Sequence, residues 1–209
     1  MLALFFAFSS LALAQTPTMT IRYNYDGEQP IRRDGVSYDD GLDVLLEYLR
    51  SKRDGQFQMG QGEQVILEIK VTGEQVQLTT AKGTQTTTLD AVLANFESAR
   101  AAGHLAACKV NLQTMATALK AWGADHDGHF PDNLALLVPT YLTQVPSCTA
   151  RSGYDTYGAG YKQRQAPDHF VLQCTVNHTA AGVGHGIPAY DSDFGLIESE
   201  SDLRQRFHP

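Results

Sequence analysis

The sequence predicts an α+β fold: an N-terminal β-α-β-β module, then a long spine helix, then a small antiparallel sheet. Three observations carry this. Apolar and polar residues alternate from Met19 to Tyr25 and again through Val65, Leu67, Ile69 and Val71, which is the period of a half-buried strand. Leu42, Leu45, Leu46 and Leu49 follow the i, i+3, i+4, i+7 spacing of one helix face. A second helical stripe steps in threes and fours through Leu105, Cys108, Leu112, Met115, Leu119 and Trp122.

Taken in order, residues 1–14 are almost wholly apolar. Ala12-Leu13-Ala14 before Gln15 has the small-x-small form of a signal peptidase site, so a mature start near Gln15 is expected. The run is shorter than the ~20 residues that span a bilayer. It lacks a positively charged start, and a buried N-terminal element or an uncleaved anchor is the alternative. Asp26-Gly27-Glu28-Gln29-Pro30 breaks the first strand. Ser37, Asp39 or Asp40 can cap the first helix, and Arg50, Lys52 and Arg53 close it, which suits the negative end of its dipole. Gly73-Glu74 turns the Val65–Val71 strand into one holding Val76 and Leu78, and Lys82-Gly83 leads on to a Thr-rich edge, Thr84–Thr88.

The second helix begins at Thr88 or Asp90, with Leu89, Val92, Leu93 and Phe96 facing the module. Its stripe changes register near Ala99–Gly103. One long helix shared by both halves is the first expectation, and a break at Gly103 the alternative. The expected divisions are a module over 15–88, the long helix plus head over 89–175, and a loop-rich tail over 176–209.

The long stripe stops at Asp125-His126-Asp127-Gly128-His129-Phe130-Pro131, where Gly128 can take the left-handed position and Pro131 bars continuation. A Leu-rich segment (Leu134, Leu136, Leu137, Tyr141, Leu142) then leads to Val145-Pro146. This succession resembles the globular head of type IV pilins. It looks most like the major pseudopilins of type II secretion systems, whose helix also ends in a short Asp-Asn-Gly-aromatic-Pro segment. The motif residues are Trp122, Asp125, Asp127, Gly128, Phe130, Pro131 and Pro146, and the resemblance covers roughly residues 97–175. The family's Gly-Phe-Thr-Leu-x-Glu processing site and apolar half-helix are not found ahead of Arg100. The resemblance implies a bacterial structural subunit and transfers neither a catalytic residue nor the calcium site of the pseudopilins.

A net charge of -7 with no basic run disfavours nucleic acid and anionic membrane surfaces. Three cysteines in a chain read as exported suggest one disulfide and one odd thiol. Spacing does not settle the pairing. Cys148 with Cys174, the latter ending a strand through His169–Leu172, is favoured over Cys108 with Cys148. Cys108 then serves as a small buried hydrophobe on the helix face.

Other polar groups give weaker signals. Asp125, His126, Asp127 and His129 could hold a divalent cation, but their spacing fits neither an EF-hand nor a zinc pair on one helix face. His178 and His185 lie in the tail, and Asp191-Ser192-Asp193 lacks further oxygen ligands. His104 and Cys108 are one turn apart, too close to the buried stripe for a reactive thiolate. Trp122 is expected as a core anchor. Tyr154, Tyr157, Tyr161 and Tyr190 suit a contact surface or a packed edge equally. No nucleophile elbow, phosphate loop or dinucleotide fingerprint is present.

The expectation is therefore a non-enzymatic structural or binding protein of the cell envelope, periplasmic, cell-surface or extracellular. It would have a protein partner, no cofactor, no metal and no membrane span in the mature chain. The alternative is a secreted metal-dependent hydrolase using Asp125, His126, Asp127 and His129.

Overall fold

The structure, a computed structural model, describes residues 18–207 with the exception of 152 and 167. The expected signal segment lies outside the described residues. The chain mixes helix and strand and divides after Phe96 into two compact units, each with its own sheet and core.

The first unit holds six antiparallel strands: β1 (Met19–Tyr25), β2 (Ile31–Val36), β3 (Gly55–Gln61), β4 (Gln64–Thr72), β5 (Gln75–Thr80) and β6 (Gly83–Thr88). Their order in the sheet is β2-β1-β3-β4-β5-β6. Helix α1 (Tyr38–Arg50) starts where Ser37 Oγ accepts the Asp40 N–H, with Asp39 and Asp40 in its first turn. Leu45, Tyr48 and Leu49 of α1 share a core with Ile21, Phe57, Met59, Ile69, Val71 and Val76. Leu89 and Val92 complete it, so the unit closes on the start of the next helix.

Two strands here go beyond the expected β-α-β-β order. β2, Ile-Arg-Arg-Asp-Gly-Val, is exposed almost throughout and has no apolar alternation to betray it. In β3, Phe57 and Met59 do alternate with glutamines, but glycines at Gly55 and Gly60 mask the pattern. Gly60 is required by the close approach of β4: a Cβ there would lie 1.9 Å from the Gln64 carbonyl oxygen. The ladder shifts register between Met59 and Gly60, so the inward alternation of β4 holds at Ile69 and Val71 but leaves Val65 41 % exposed.

Helix α2 runs unbroken from Leu89 to Asp125, 37 residues, passing Gly103 without a break. None of the helices among the described residues is long and apolar enough to cross a membrane. In the second unit Cys108, Leu112, Met115, Ala116 and Leu119 of α2 pack in one core with Leu134, Leu137, Tyr157, Tyr161, Phe170 and Leu172. The sheet of this unit has the order β10-β9-β8-β7, from β7 (Tyr161–Gln165), β8 (Asp168–Gln173), β9 (Ala189–Asp191) and β10 (Gly195–Ile197). The last two strands and α3 (Glu200–Phe207) lie in the stretch expected to be a loop-rich tail. Strands of three residues, separated by an Asp-Ser-Asp-Phe turn, are too short to show a period.

The helix stop is a Schellman arrangement. The Gly128 N–H donates to the Gly123 carbonyl at 2.8 Å, and the left-handed residue one place past the cap is Asp127 (φ 55), with Gly128 (φ 90) following it. Asp127 rather than Gly128 therefore occupies the position expected of glycine, which an aspartate tolerates. Phe130 then meets Phe170 edge-on at 4.8 Å, and the Tyr161 hydroxyl donates to the Pro131 carbonyl at 2.8 Å, fixing the exit of the chain onto the sheet. Trp122 is half-buried and stacks on His126 at 4.0 Å.

Candidate metal centre

Three segments of the second unit deliver four side chains to one buried point. Cys108 comes from the inward stripe of α2, Cys148 from the loop after Pro146, Cys174 from the residue following β8, and His178 from four residues beyond it. The three sulfurs and one imidazole nitrogen all lie within 4.8 Å of one another. Cys108 and Cys148 are 0 % exposed, Cys174 3 % and His178 4 %. His178 Nε2 is 3.5 Å from the Cys148 sulfur and 3.6 Å from the Cys174 sulfur.

Local chemistry holds the segments in register. The buried Thr156 receives the Cys148 N–H on its Oγ1 at 2.7 Å and the Thr175 N–H on its carbonyl at 2.9 Å, tying together the two loops that carry Cys148 and Cys174. Asn111, one turn along α2 from Cys108, donates through Nδ2 to the Ser147 carbonyl at 3.0 Å, beside Cys148. The same group donates to the Tyr157 hydroxyl at 3.3 Å, and that hydroxyl donates to the Cys108 sulfur at 3.2 Å.

The sulfurs also receive backbone donors. The N–H of Ala150 serves Cys148 and the N–H of Val176 serves Cys174, each two residues past its cysteine. The three thiols hydrogen-bond to one another. Hydrogen bonds from Cys108 and then Cys174 hold Cys148 far below the ordinary thiol range, with the Ala150 N–H and His178 adding to the effect against burial. The same bonds to Cys148 and Cys174, together with burial, push Cys108 far up. At Cys174 the Cys108 bond pulls down, but Cys148 and burial outweigh it and the net shift is upward. Burial, then the bond to Cys108, keeps the Tyr157 hydroxyl protonated far beyond its usual range, so it remains a donor. Of the three sulfurs, Cys148 is the one these bonds favour as a thiolate, and donors stand around the others.

The expected Cys148–Cys174 disulfide is not formed: all three cysteines are free and buried. Cys108 is no bystander hydrophobe. It faces both partners, and His178 fills the fourth corner, so no single pair is singled out for bonding. Sequence reasoning placed His178 in a loose tail with His185, which is exposed. The signal available was Cys174-x-x-x-His178, a metal-ligand spacing directly after a strand.

The Asp/His residues at the helix stop do not converge. Asp125 accepts from the Tyr141 hydroxyl at 2.8 Å, His126 Nδ1 lies 2.8 Å from the Trp122 carbonyl, and His129 Nδ1 lies 3.0 Å from Asp168. They line a shallow surface depression with Trp122 and Phe130. His104 turns to Thr149 at 2.8 Å and forms no pair with Cys108. Asp191 and Asp193 are joined by His169, whose Nε2 is 3.2 Å and 3.8 Å from them. Asp191 Oδ1 also accepts the Asp193 and Phe194 N–H groups, the pattern of a hairpin turn between β9 and β10. Of the tyrosines, Tyr157 and Tyr161 are core and Tyr190 is half-buried, as a packed edge requires, whereas Tyr154 is exposed and remains available for contact.

No protein family, curated protein or solved structure matches this chain.

Proposed function

We propose that the protein is an exported, non-enzymatic structural or binding protein of the cell envelope, with a pilin-like head associated with a type II secretion or pilus-like system. The observation that carries this reading is the common core of the second unit. The α2 stripe through Cys108, Leu112, Met115 and Leu119 packs with Phe170 and Leu172 of an antiparallel sheet that lies beyond the Asp-Gly-His-Phe-Pro helix stop. That arrangement is what a pilin-type head requires. The most reactive side chains of the unit, three thiols and an imidazole, are enclosed in the same core, where they can shape the head but not meet a substrate.

Recognition then falls to the exposed surface, where Tyr154 and Phe194 stand 62 % and 64 % exposed. The test is to express the full chain in a bacterium with a type II secretion system, fractionate the cells, and place photocrosslinking residues at these two positions. Recovery outside the cytosol with a crosslink to a pilin-type subunit is the expected result. A cytosolic chain, or crosslinks no different from those of an unrelated secreted protein, would overturn the proposal.

A further inference from the structure

The geometry points to a structural zinc site in the second unit, in which Cys108, Cys148, Cys174 and His178 bind one Zn2+ tetrahedrally and leave no position open to substrate. It goes beyond the proposed role in the envelope and stands on the geometry of this cluster alone.

The distances fit a metal better than a disulfide. Zn–S bonds of about 2.3 Å and Zn–N bonds of about 2.0–2.1 Å set the S···N edges of a tetrahedron at about 3.6 Å. The two such edges to His178 Nε2 in the structure are 3.5 and 3.6 Å. A disulfide would draw one pair of sulfurs to about 2.05 Å and leave the third thiol and the imidazole without a purpose in a buried polar pocket. Three thiolates and one imidazole are a closed Cys3His set, whose soft sulfur donors favour zinc over calcium or magnesium.

The surroundings suit bound thiolates. The Tyr157 hydroxyl reaches the Cys108 sulfur, and the N–H groups of Ala150 and Val176 reach the other two. Such outer donors spread the charge of thiolate ligands and fix their orientation. When Zn2+ enters, four metal–ligand bonds form and the remaining thiol protons pass to solvent. No atom changes oxidation state, so neither oxidant nor reductant is needed. The ion would join α2, the loop after Pro146 and the end of β8, segments far apart in the chain, and so staple the head in place of the expected disulfide.

The test uses the full chain, purified without oxygen from cells supplied with zinc. Metal analysis after dialysis is expected to give about one zinc per chain, and replacement by Co2+ to give the intense visible bands of tetrahedral cobalt with a thiolate charge-transfer band. His178→Cys, which offers a fourth sulfur, is expected to retain the metal and strengthen the charge-transfer band. Cys174→Ser is expected to weaken both zinc retention and that band, and Asp191→Asn to leave them unchanged. Protein that is folded yet metal-free, a disulfide between any two of the three cysteines, or an octahedral cobalt spectrum would overturn the assignment. Retention of zinc that follows Asp191 rather than the cysteines would do the same. Because metal content is read on purified protein and envelope location on fractionated cells, failure of one leaves the other standing.

Discussion

Replacing Tyr157 by Phe removes a single hydroxyl from the wall of the Cys/His cluster while keeping the fully buried ring. Two hydrogen bonds are lost: the one donated to the Cys108 sulfur at 3.2 Å and the one received from Asn111 at 3.3 Å. Asn111 is not orphaned, because Nδ2 keeps its bond to the Ser147 carbonyl at 3.0 Å. In the metal-free chain the bonds to Cys148 and Cys174, then burial, push the Cys108 thiol up and favour its neutral form, for which a lost bond costs about 0.5–1.5 kcal/mol. With zinc bound it is a thiolate, and the same bond is worth about 1.5–3 kcal/mol. The difference, on the order of 1.4 kcal/mol, corresponds to roughly a tenfold loss of metal affinity, at the lower end of the 10–100-fold range typical of outer-shell partners. Competition with a chromogenic chelator measures that ratio, and urea unfolding of the metal-free forms measures the smaller stability change. Equal zinc affinity of the two proteins, within about twofold, would refute the claim that this hydroxyl supports a thiolate ligand.

Leu112→Ala opens a cavity in the core of the second unit and is expected to cost about 2–5 kcal/mol in denaturant unfolding, whereas Val110→Ala, at a position 60 % exposed on the same helix, should change stability by less than about 0.5 kcal/mol. Equal effects would contradict the packing of that stripe on the sheet. Gly60→Ala forces a methyl into the Gln64 carbonyl and is expected to destabilise the first unit by at least about 1–3 kcal/mol, read as a lower midpoint in chemical unfolding with the slope unchanged. The Asp202 carboxyl accepts the N–H groups of Glu198 and Ser199, both at 2.9 Å, and its pKa is held below the ordinary value chiefly by the Glu198 bond. A depressed carboxyl stabilises above its unfolded pKa, and that contribution fades as pH falls through the folded value. Amide exchange at Glu198 and Ser199 should therefore accelerate in acid more than the intrinsic rate dictates, and Asp202→Asn should abolish the extra acceleration.

Much of the local structure was legible because it is periodic. The face of α1, the long α2 stripe and its stop at Asp125 follow from spacing and cap chemistry, and so do β1, β4 and β5. The elements that were missed have no period to read. β2 is polar on both faces, glycines interrupt β3, and β9 and β10 are three residues each. Val65 misled the alternation because a bulge opposite Gly60 re-aims the start of β4.

The cluster itself is a tertiary fact. Cys108 reads as a core residue because its neighbours on the stripe are apolar, and Cys148 and Cys174 read as a pair because one follows the Val145-Pro146 turn and the other ends a strand, so that both could sit on one sheet. Only the fold shows that the β7–β8 hairpin and the Thr156 clamp carry Cys148 and Cys174 to the same turn of α2 as Cys108, with His178 closing the set. The Asp/His residues at the helix stop teach the converse. Proximity in sequence suggests a site, yet Asp125, His126 and His129 are each turned to a different partner.

The most direct measurement is zinc K-edge X-ray absorption on the purified full chain. Three sulfur scatterers at about 2.3 Å and one imidazole nitrogen at about 2.0–2.1 Å would place the ion in the Cys108, Cys148, Cys174 and His178 cluster. A first shell of oxygen and nitrogen alone, or protein that binds no zinc while its three thiols remain reduced, would contradict it.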